Sequence, residues 1–447
     1  MGDFMLRKAI TKLQAVIIAV IVIVAAIAVV LAYLYPLGPL APDVILIGVP
    51  APLTGPGAQM GEPIPWIVSY IENVINKEGG IFLEEYGRKI PVKFLLKDNQ
   101  ADFDLTATIT EELIIKDKVP LILVPIGALA MPAAGMKAEK YGVPCILHFC
   151  PASTIEIIGP SQHVYYTTWS WSEVVQNILK ACKLIETNGK IGLLAVNNAE
   201  GQRIHRMVKN IAPGMGFEVI DYGLYSPGLI DFSPYIERMK TDKAEICFAY
   251  CWFEESAIFW RQCHEMGYKP KVAYIGMAAA EPSTVAALGG DLGLGLIALG
   301  LFSPAFPFKD SITGKLVKEL YDMYTKETGR TAGVNMASYV GFEITVDVIR
   351  RAGSLSKEKI LRALSETNLN TAWGNINFKK LYDEALMKIY ATVEPELLIQ
   401  PDHTCVLPSV IIQWFKEDGR WVDKIIYVGR WTEIPVQAKM IPIPGSE

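Results

Sequence analysis

From residue 44 onward the chain alternates short apolar runs with amphipathic helical stretches, and it does so twice. Residues 44–49, 91–96, 120–124 and 143–147 read as buried strands, and 62–77, 103–116 and 132–141 read as helices by their apolar spacing. Asp102 stands where an N-cap belongs, Pro132 falls in a first helical turn, and Gly79-Gly80 and Gly142 stand where helices stop. The pattern then restarts. Strands are predicted at 190–196, 217–222, 244–250, 272–275 and 296–301, and helices at 171–186, 202–211, 233–240, 254–266 and 282–288. Longer helices follow at 311–326, 335–351 and 357–365, then a hairpin of strands 410–415 and 421–428 around Glu417-Asp418-Gly419. Strands alternating with helices make mostly parallel sheets covered on both faces. A chain of 447 residues exceeds one core of about 250–300 residues, so the expected class is α/β with two doubly wound parallel-sheet lobes.

Ahead of this pattern, residues 15–35 carry no charge and consist mostly of Val, Ile, Ala and Leu. As a helix this run would reach across a hydrocarbon core of about 30 Å. Arg7, Lys8 and Lys12 precede it, and positive flanks stay cytoplasmic. The run exceeds a signal-peptide apolar region of about 7–15 residues, so an uncleaved transmembrane helix is expected. That reading gives a cytoplasmic stub at 1–14, an anchor at 15–35 and a Pro-rich linker at 36–42, with the rest outside the cell.

Formal net charge is −5 and charged residues make up 20% of the chain, without long blocks of one sign. This argues against a nucleic-acid partner. Seven cysteines show no zinc spacing and are expected to be small buried residues. No Gly-x-Ser-x-Gly elbow or His-Glu-x-x-His motif is present, and adjacent pairs such as Glu84-Glu85 diverge on regular elements. The chain reads as a binding protein, with neither enzyme activity nor a cofactor expected.

Three stretches point to a ligand. Leu53, Thr54 and the glycines Gly55, Gly57 and Gly61 follow the first strand, with spacing one residue too long for a dinucleotide fingerprint. Their turn is expected to face its backbone amides to a ligand at the sheet's carboxyl edge. Gly127, Ala128 and Leu129 link a strand to a helix, whose N-terminus suits a carboxylate. Ala152, Ser153 and Thr154 beyond the next strand add hydroxyls and further amides. Trp169, Trp171 and Trp252 are candidates for an apolar wall.

The wording of the chain then resembles branched-chain amino acid binding proteins of ABC importers. The resemblance rests on Ile47-Gly48-Val49 with Pro52-Leu53-Thr54-Gly55-Pro56, on Ile75-Asn76-Lys77-Glu78-Gly79-Gly80-Ile81, and on Lys97-Asp98-Asn99. Trp373-Gly374-Asn375-Ile376-Asn377-Phe378 and Gln413-Trp414 continue it, over about residues 43–430. The resemblance implies a type I periplasmic-binding-protein fold with three hinge crossings. The lobes would be 43–168 with 304–385 and 169–303 with 386–432, followed by a tail at 433–447. It places the ligand carboxylate at Ala128 or Leu129, Ala152 and Thr154, and lobe-two contacts at Trp252 and Glu200. The family acid that pairs with the ligand ammonium falls on Ala278. A buried ammonium without a partner is costly. Either Glu200, Glu254 or Glu281 replaces that acid, or the ligand is a carboxylate or amide without an α-amino group. The expected role is an extracytoplasmic receptor that hands a small ligand to ABC permease subunits. The alternatives are a ligand-sensing ectodomain with a separate signalling partner and, further off, an α/β enzyme.

Overall fold

The computed structural model describes residues 12–34, 41–127, 130–280, 282–379 and 384–446. Strands β1 Ile45–Ala51, β2 Val92–Asp98, β3 Ile122–Val124, β4 Cys145–Cys150 and β5 Val164–Thr168 build a first sheet. Strands β6 Lys190–Val196, β7 Glu218–Tyr225, β8 Ile246–Tyr250, β9 Val272–Tyr274 and β10 Ile297–Gly300 build a second. Three late strands finish both: β11 Thr404–Val406, β12 Val410–Glu417 and β13 Arg420–Tyr427.

The first sheet has the order β11-β5-β4-β3-β1-β2 and is parallel throughout. The second has the order β13-β12-β10-β9-β8-β6-β7, parallel except for β12 and β13. Its parallel part repeats the winding of the first sheet. Helices bury both faces, which is why β3 and β4 are buried at every position and apolar at all but His148. Packed against the first sheet is the helix Ser338–Ala352, whose residues Tyr339 to Val346 are all buried. The chain passes between the sheets after Thr168, after Gly300 and after Val406.

Local signals place their elements well. Asp102 accepts a 2.7 Å hydrogen bond from the Leu105 amide and caps the helix Phe103–Ile115. Asp418 and Gly419 both take positive φ, 48° and 77°, as a two-residue hairpin turn requires between β12 and β13.

Several elements depart from expectation. The helix expected over 311–326 begins only at Val317. Asp310 accepts hydrogen bonds from the amides of Ile312, Thr313 and Lys315, which holds that stretch in a turn instead. Residues 153–158, read as a loop start, form the helix Ser153–Ile158. β5 had a visible β-branched and aromatic signal, Val-Tyr-Tyr-Thr-Thr. β11 is three residues long and joins the first sheet beside β5, although the chain from 386 onward is expected in the second lobe.

At the start, Lys12–Leu34 forms one helix of 23 residues. Its described side chains, Val16 to Ile27, are broadly exposed, with Ile21 at 61%. Among the described residues no helix is long and apolar enough to cross a membrane.

Candidate functional site

Open α/β sheets bind ligands beyond the carboxyl ends of their strands, where strand order reverses. In the first sheet that point lies between β1 and β3, and in the second between β6 and β8. Leu53 and Thr54 follow β1, and Gly127 follows β3. Glu200 follows β6, and Trp252 follows β8. Ala152, Ser153 and Thr154 come off the same edge as Gly127, after β4, and Trp169 follows β5. Ala128, Leu129 and Glu281 lie outside the described residues.

Two amides of the expected backbone seat have a partner within the protein. The amides of Leu53 and Thr54 donate to the Asp98 carboxylate at 2.9 and 3.2 Å, as does the Thr54 hydroxyl. Burial alone would raise the Asp98 pKa; the hydrogen bonds from Thr54, Gln100 and Leu53 outweigh it and hold the carboxyl below its ordinary value. These amides serve an internal carboxylate, and Thr54 itself is exposed. Leu53 lines a groove of about 380 Å³ with Gln59, Glu62 and Arg330, in which Arg330 pairs with Glu62 at 3.1 Å.

The helix start at Trp171 is likewise occupied from within. Glu394, fully buried, accepts from the amides of Trp171 and Ser172 at 2.8 and 3.1 Å and from the hydroxyls of Ser170 and Ser172. Burial raises the Glu394 pKa, and those four donors pull it back. This carboxylate pins the first crossing between the sheets.

Among the buried donors that lack a hydrogen bond, two come directly off the carboxyl edge of the first sheet. The Thr154 hydroxyl is buried and has no hydrogen-bond partner, and neither does the indole N–H of Trp169. An unpaired buried polar group costs about 1–3 kcal/mol, so two on one edge mark a place for an outside partner. Beside them runs a row of rings. Phe149 lies 5.2 Å from Trp169 and 5.3 Å from Trp373, and Trp169 lies 6.1 Å from Trp171, which meets Tyr250 at 5.6 Å. Phe149 holds a φ of +55°, strained for an aromatic residue, at the point where the β4–β5 register shifts. Neither Phe149 nor Glu394 carries a local sequence signal for this role.

Glu200 reaches the same place from the second sheet. Burial among aromatic side chains raises its pKa; Arg203 and the Trp171 indole oppose this, while Glu394 adds to it. The Trp171 indole N–H faces this carboxylate without forming a hydrogen bond of ordinary geometry. Arg203, one turn along the same helix, pairs with Glu156 at 3.2 Å and with Glu396. Glu156 sits in the helix that starts at Ser153, so the helices carrying Thr154 and Glu200 meet. The elements that carry Thr154, Trp169, Trp171 and Glu200 are therefore neighbours. Trp252 sits at the start of the helix Phe253–Glu265 and remains 37% exposed. Ala278 falls in the turn Met277–Ala280, and Glu254 is exposed. Of the described acids proposed to replace the one missing at Ala278, Glu200 is enclosed beside Trp171, whereas Glu254 is exposed.

Comparison with known proteins agrees with this fold. The profile of a family described as periplasmic binding protein matches residues 44–393. Leu/Ile/Val-binding protein homolog 3 of Brucella melitensis is 25% identical over 353 residues, covering 76% of this chain and 88% of that protein. A leucine-, isoleucine-, valine-, threonine- and alanine-binding protein of Pseudomonas aeruginosa is 23% identical over 351 residues, covering 77% and 88%. Among solved structures, an ABC-transporter solute binding protein of Rhodopseudomonas palustris in complex with 3,4-dihydroxy benzoic acid superposes with TM-score 0.66 at 20% identity, covering 90% of this chain and 99% of that one. A branched-chain amino acid transporter substrate binding protein of Streptococcus pneumoniae in complex with isoleucine gives 0.65 at 16% identity, covering 86% and 99%.

Proposed function

The chain belongs to the periplasmic binding protein family, a family of solute receptors, and from that premise we propose that it holds a small carboxylate between its two lobes for an ABC importer. The observation that carries the carboxylate is the pair of unspent donors, Thr154 Oγ1 and Trp169 Nε1, at the edge of the first sheet. The names of similar proteins support it. Isoleucine and 3,4-dihydroxy benzoic acid differ in their amine and their ring, and they share a carboxylate. Glu200 would receive an amine or another donor at the ligand's far end, in place of the acid that Ala278 lacks. The lobes close by hinge motion at the three crossings, and the closed form docks permease subunits.

The proposed lobes are 43–168 with 304–385 and 169–303 with 386–432, with β11 lent to the first sheet. The proposed anchor is the helix Lys12–Leu34, about 34 Å long by its rise. Its described side chains cover Val16 to Ile27, and the sequence stays apolar to Tyr35. An anchor with the binding lobes extracytoplasmic keeps the receptor near its permease.

A thermal-shift screen of the full-length chain in detergent tests the ligand class. Amino acids, aromatic carboxylates and the methyl esters of both are compared at equal concentration. A ligand at a hundred times its Kd stabilises by about 2.7 kcal/mol, which moves the melting temperature visibly. Carboxylates are expected to shift it and their esters are not. Equal shifts from acid and ester would reject the carboxylate seat. The anchor is tested separately by washing membranes with alkaline carbonate, which leaves an integral protein in the pellet.

A further inference from the structure

A second, partly open space lies at the same carboxyl edge of the second sheet, beyond β9 and β10, where Phe302 stands 5.6 Å from Trp373. Its volume is about 260 Å³, and its walls include Phe302, Tyr321, Trp414, Trp421 and Asp423. It touches both halves of the molecule. Trp414 and Trp421 belong to the antiparallel end of the second sheet, where Trp414 stands opposite Asp423 in the ladder. Tyr321 comes from the helix Val317–Thr328, which packs on the first half through Tyr324 against Trp66 at 5.4 Å. Phe302 lies on the second crossing and stacks on Tyr321 at 5.9 Å.

Asp423 is the chemical oddity of this space. Its one side-chain hydrogen bond comes from Ser303 Oγ at 3.2 Å, and among the described residues it has no cationic partner. The nearby cations are committed elsewhere. Lys318 pairs with Asp322 at 2.6 Å, Lys416 with Asp291 at 2.7 Å, and Lys424 with Glu417. Burial pushes the Asp423 carboxyl above its ordinary pKa. Protein atoms crowd the group, yet the residue is only half-buried, because it opens onto the cavity. An enclosed carboxylate without a counter-charge is unfavourable, and a cation seated in the cavity would relieve it.

We propose that this cavity binds a small organic ammonium ion, with Asp423 as its counter-charge and the four rings as its walls. Aromatic faces attract alkylammonium groups by their quadrupole. A hard metal ion would want about six oxygen ligands, and one carboxylate with one hydroxyl falls short. The site shares no residue with the carboxylate seat at Thr154 and Trp169, so it stands or falls independently of that reading. Because the walls come from both halves, an occupied cavity would also fix their relative position.

The test is isothermal titration calorimetry of the full-length chain in detergent with tetramethylammonium chloride, with potassium chloride as the control salt. Wild type is expected to bind tetramethylammonium and give no heat beyond dilution with potassium. Asp423→Asn keeps the shape and removes the charge, and should weaken binding about tenfold or more. Trp421→Leu removes one wall and should weaken it severalfold, which keeps the test open if the first variant is poorly folded. Melting temperatures without added ligand should stay level for Asp423→Asn. Absence of binding by wild type, equal affinity in Asp423→Asn, or equal binding of potassium would each overturn the proposal.

Discussion

Arg203 Nη2 lies 3.2 Å from Glu156 Oε2, and the same guanidinium pairs with Glu396. The three side chains join the helix after β6 to the helix after β4 and to the segment that follows Glu394. The two acids are not equivalent. Glu396 is 8% exposed, whereas Glu156 is 62% exposed. Removing Arg203 strands Glu396 in the interior, and breaking such a pair from one side costs about 3 kcal/mol. Arg203→Ala should therefore lower stability in urea by about that amount and increase the radius of gyration in solution scattering as the lobes part. Glu156→Gln should cost less than about 1 kcal/mol, since water already solvates that acid. Equal losses from the two substitutions would show that the guanidinium is not bridging asymmetrically.

Thr154→Val separates binding from folding. The hydroxyl has no partner within the protein, so replacing it with a methyl group removes an unpaired buried polar atom. Stability should hold or rise by about 1 kcal/mol. Affinity for the best carboxylate from the screen should fall about tenfold. A variant that binds normally would take Thr154 out of the seat.

Gly61 has a packing role that its place in a glycine-rich loop conceals. A Cβ at this position would lie 1.9 Å from the carbonyl oxygen of Pro52, a backbone atom that cannot swing aside. Gly61→Ala should cost about 1–3 kcal/mol by overpacking. Gly214→Ala makes the matched control, because nothing lies within 4 Å of its added Cβ. Its effect should stay within about 0.5 kcal/mol in either direction. Denaturation curves of the two variants give the comparison.

Two buried groups set opposite limbs of the stability–pH curve. Burial pushes Glu343 up to about 8 from an ordinary 4.5, against the hydrogen bonds from Ser311 and Ala372. Between those values the unfolded chain has lost a proton that the folded protein keeps, so stability falls as pH rises to about 8. Burial pulls His148 down to about 4 from 6.5, with a weaker opposing hydrogen bond to the Ala337 carbonyl. In that window the unfolded chain binds the extra proton, so stability falls as pH drops. Glu173, Glu200 and Glu394, all raised by burial, act with Glu343. From pH 6.5 to 8 the carboxyl limb acts without the histidine, and the melting temperature should decline. A melting temperature that climbs across that interval would contradict the assignment for Glu343.

The seven cysteines are all buried and free. Burial raises the thiols of Cys182 and Cys251 to about 12, which leaves almost no reactive thiolate at neutral pH. A thiol reagent should therefore label the native protein slowly and label seven sites once denaturant is added. Rapid labelling without denaturant would mean that the core around these residues opens readily.

What the sequence determined was local. The apolar runs, the N-cap at Asp102, the helix stop at Gly142 and the positive-φ turn at Asp418-Gly419 depend on residues a few positions apart. They were readable because helix and strand periods and turn geometry are properties of short stretches of chain. The alternation also placed Thr154 and Glu200 beyond the ends of predicted strands, whereas the strand that carries Trp169, β5, was not among those predicted. Which of the edge groups stay free for a ligand was decided by partners far away in the chain. Asp98 takes the amides of Leu53 and Thr54 from 45 and 44 residues away, and Glu394 takes the hydroxyl of Ser170 from 224. The departures of the helix start at Val317 and of β11 have the same two origins, a side chain competing for the backbone and a strand that exists only by pairing with β5. Periodicity records which face of an element is apolar. The pairing of a buried charge is settled only when the winding of the sheets brings its partner within hydrogen-bond reach.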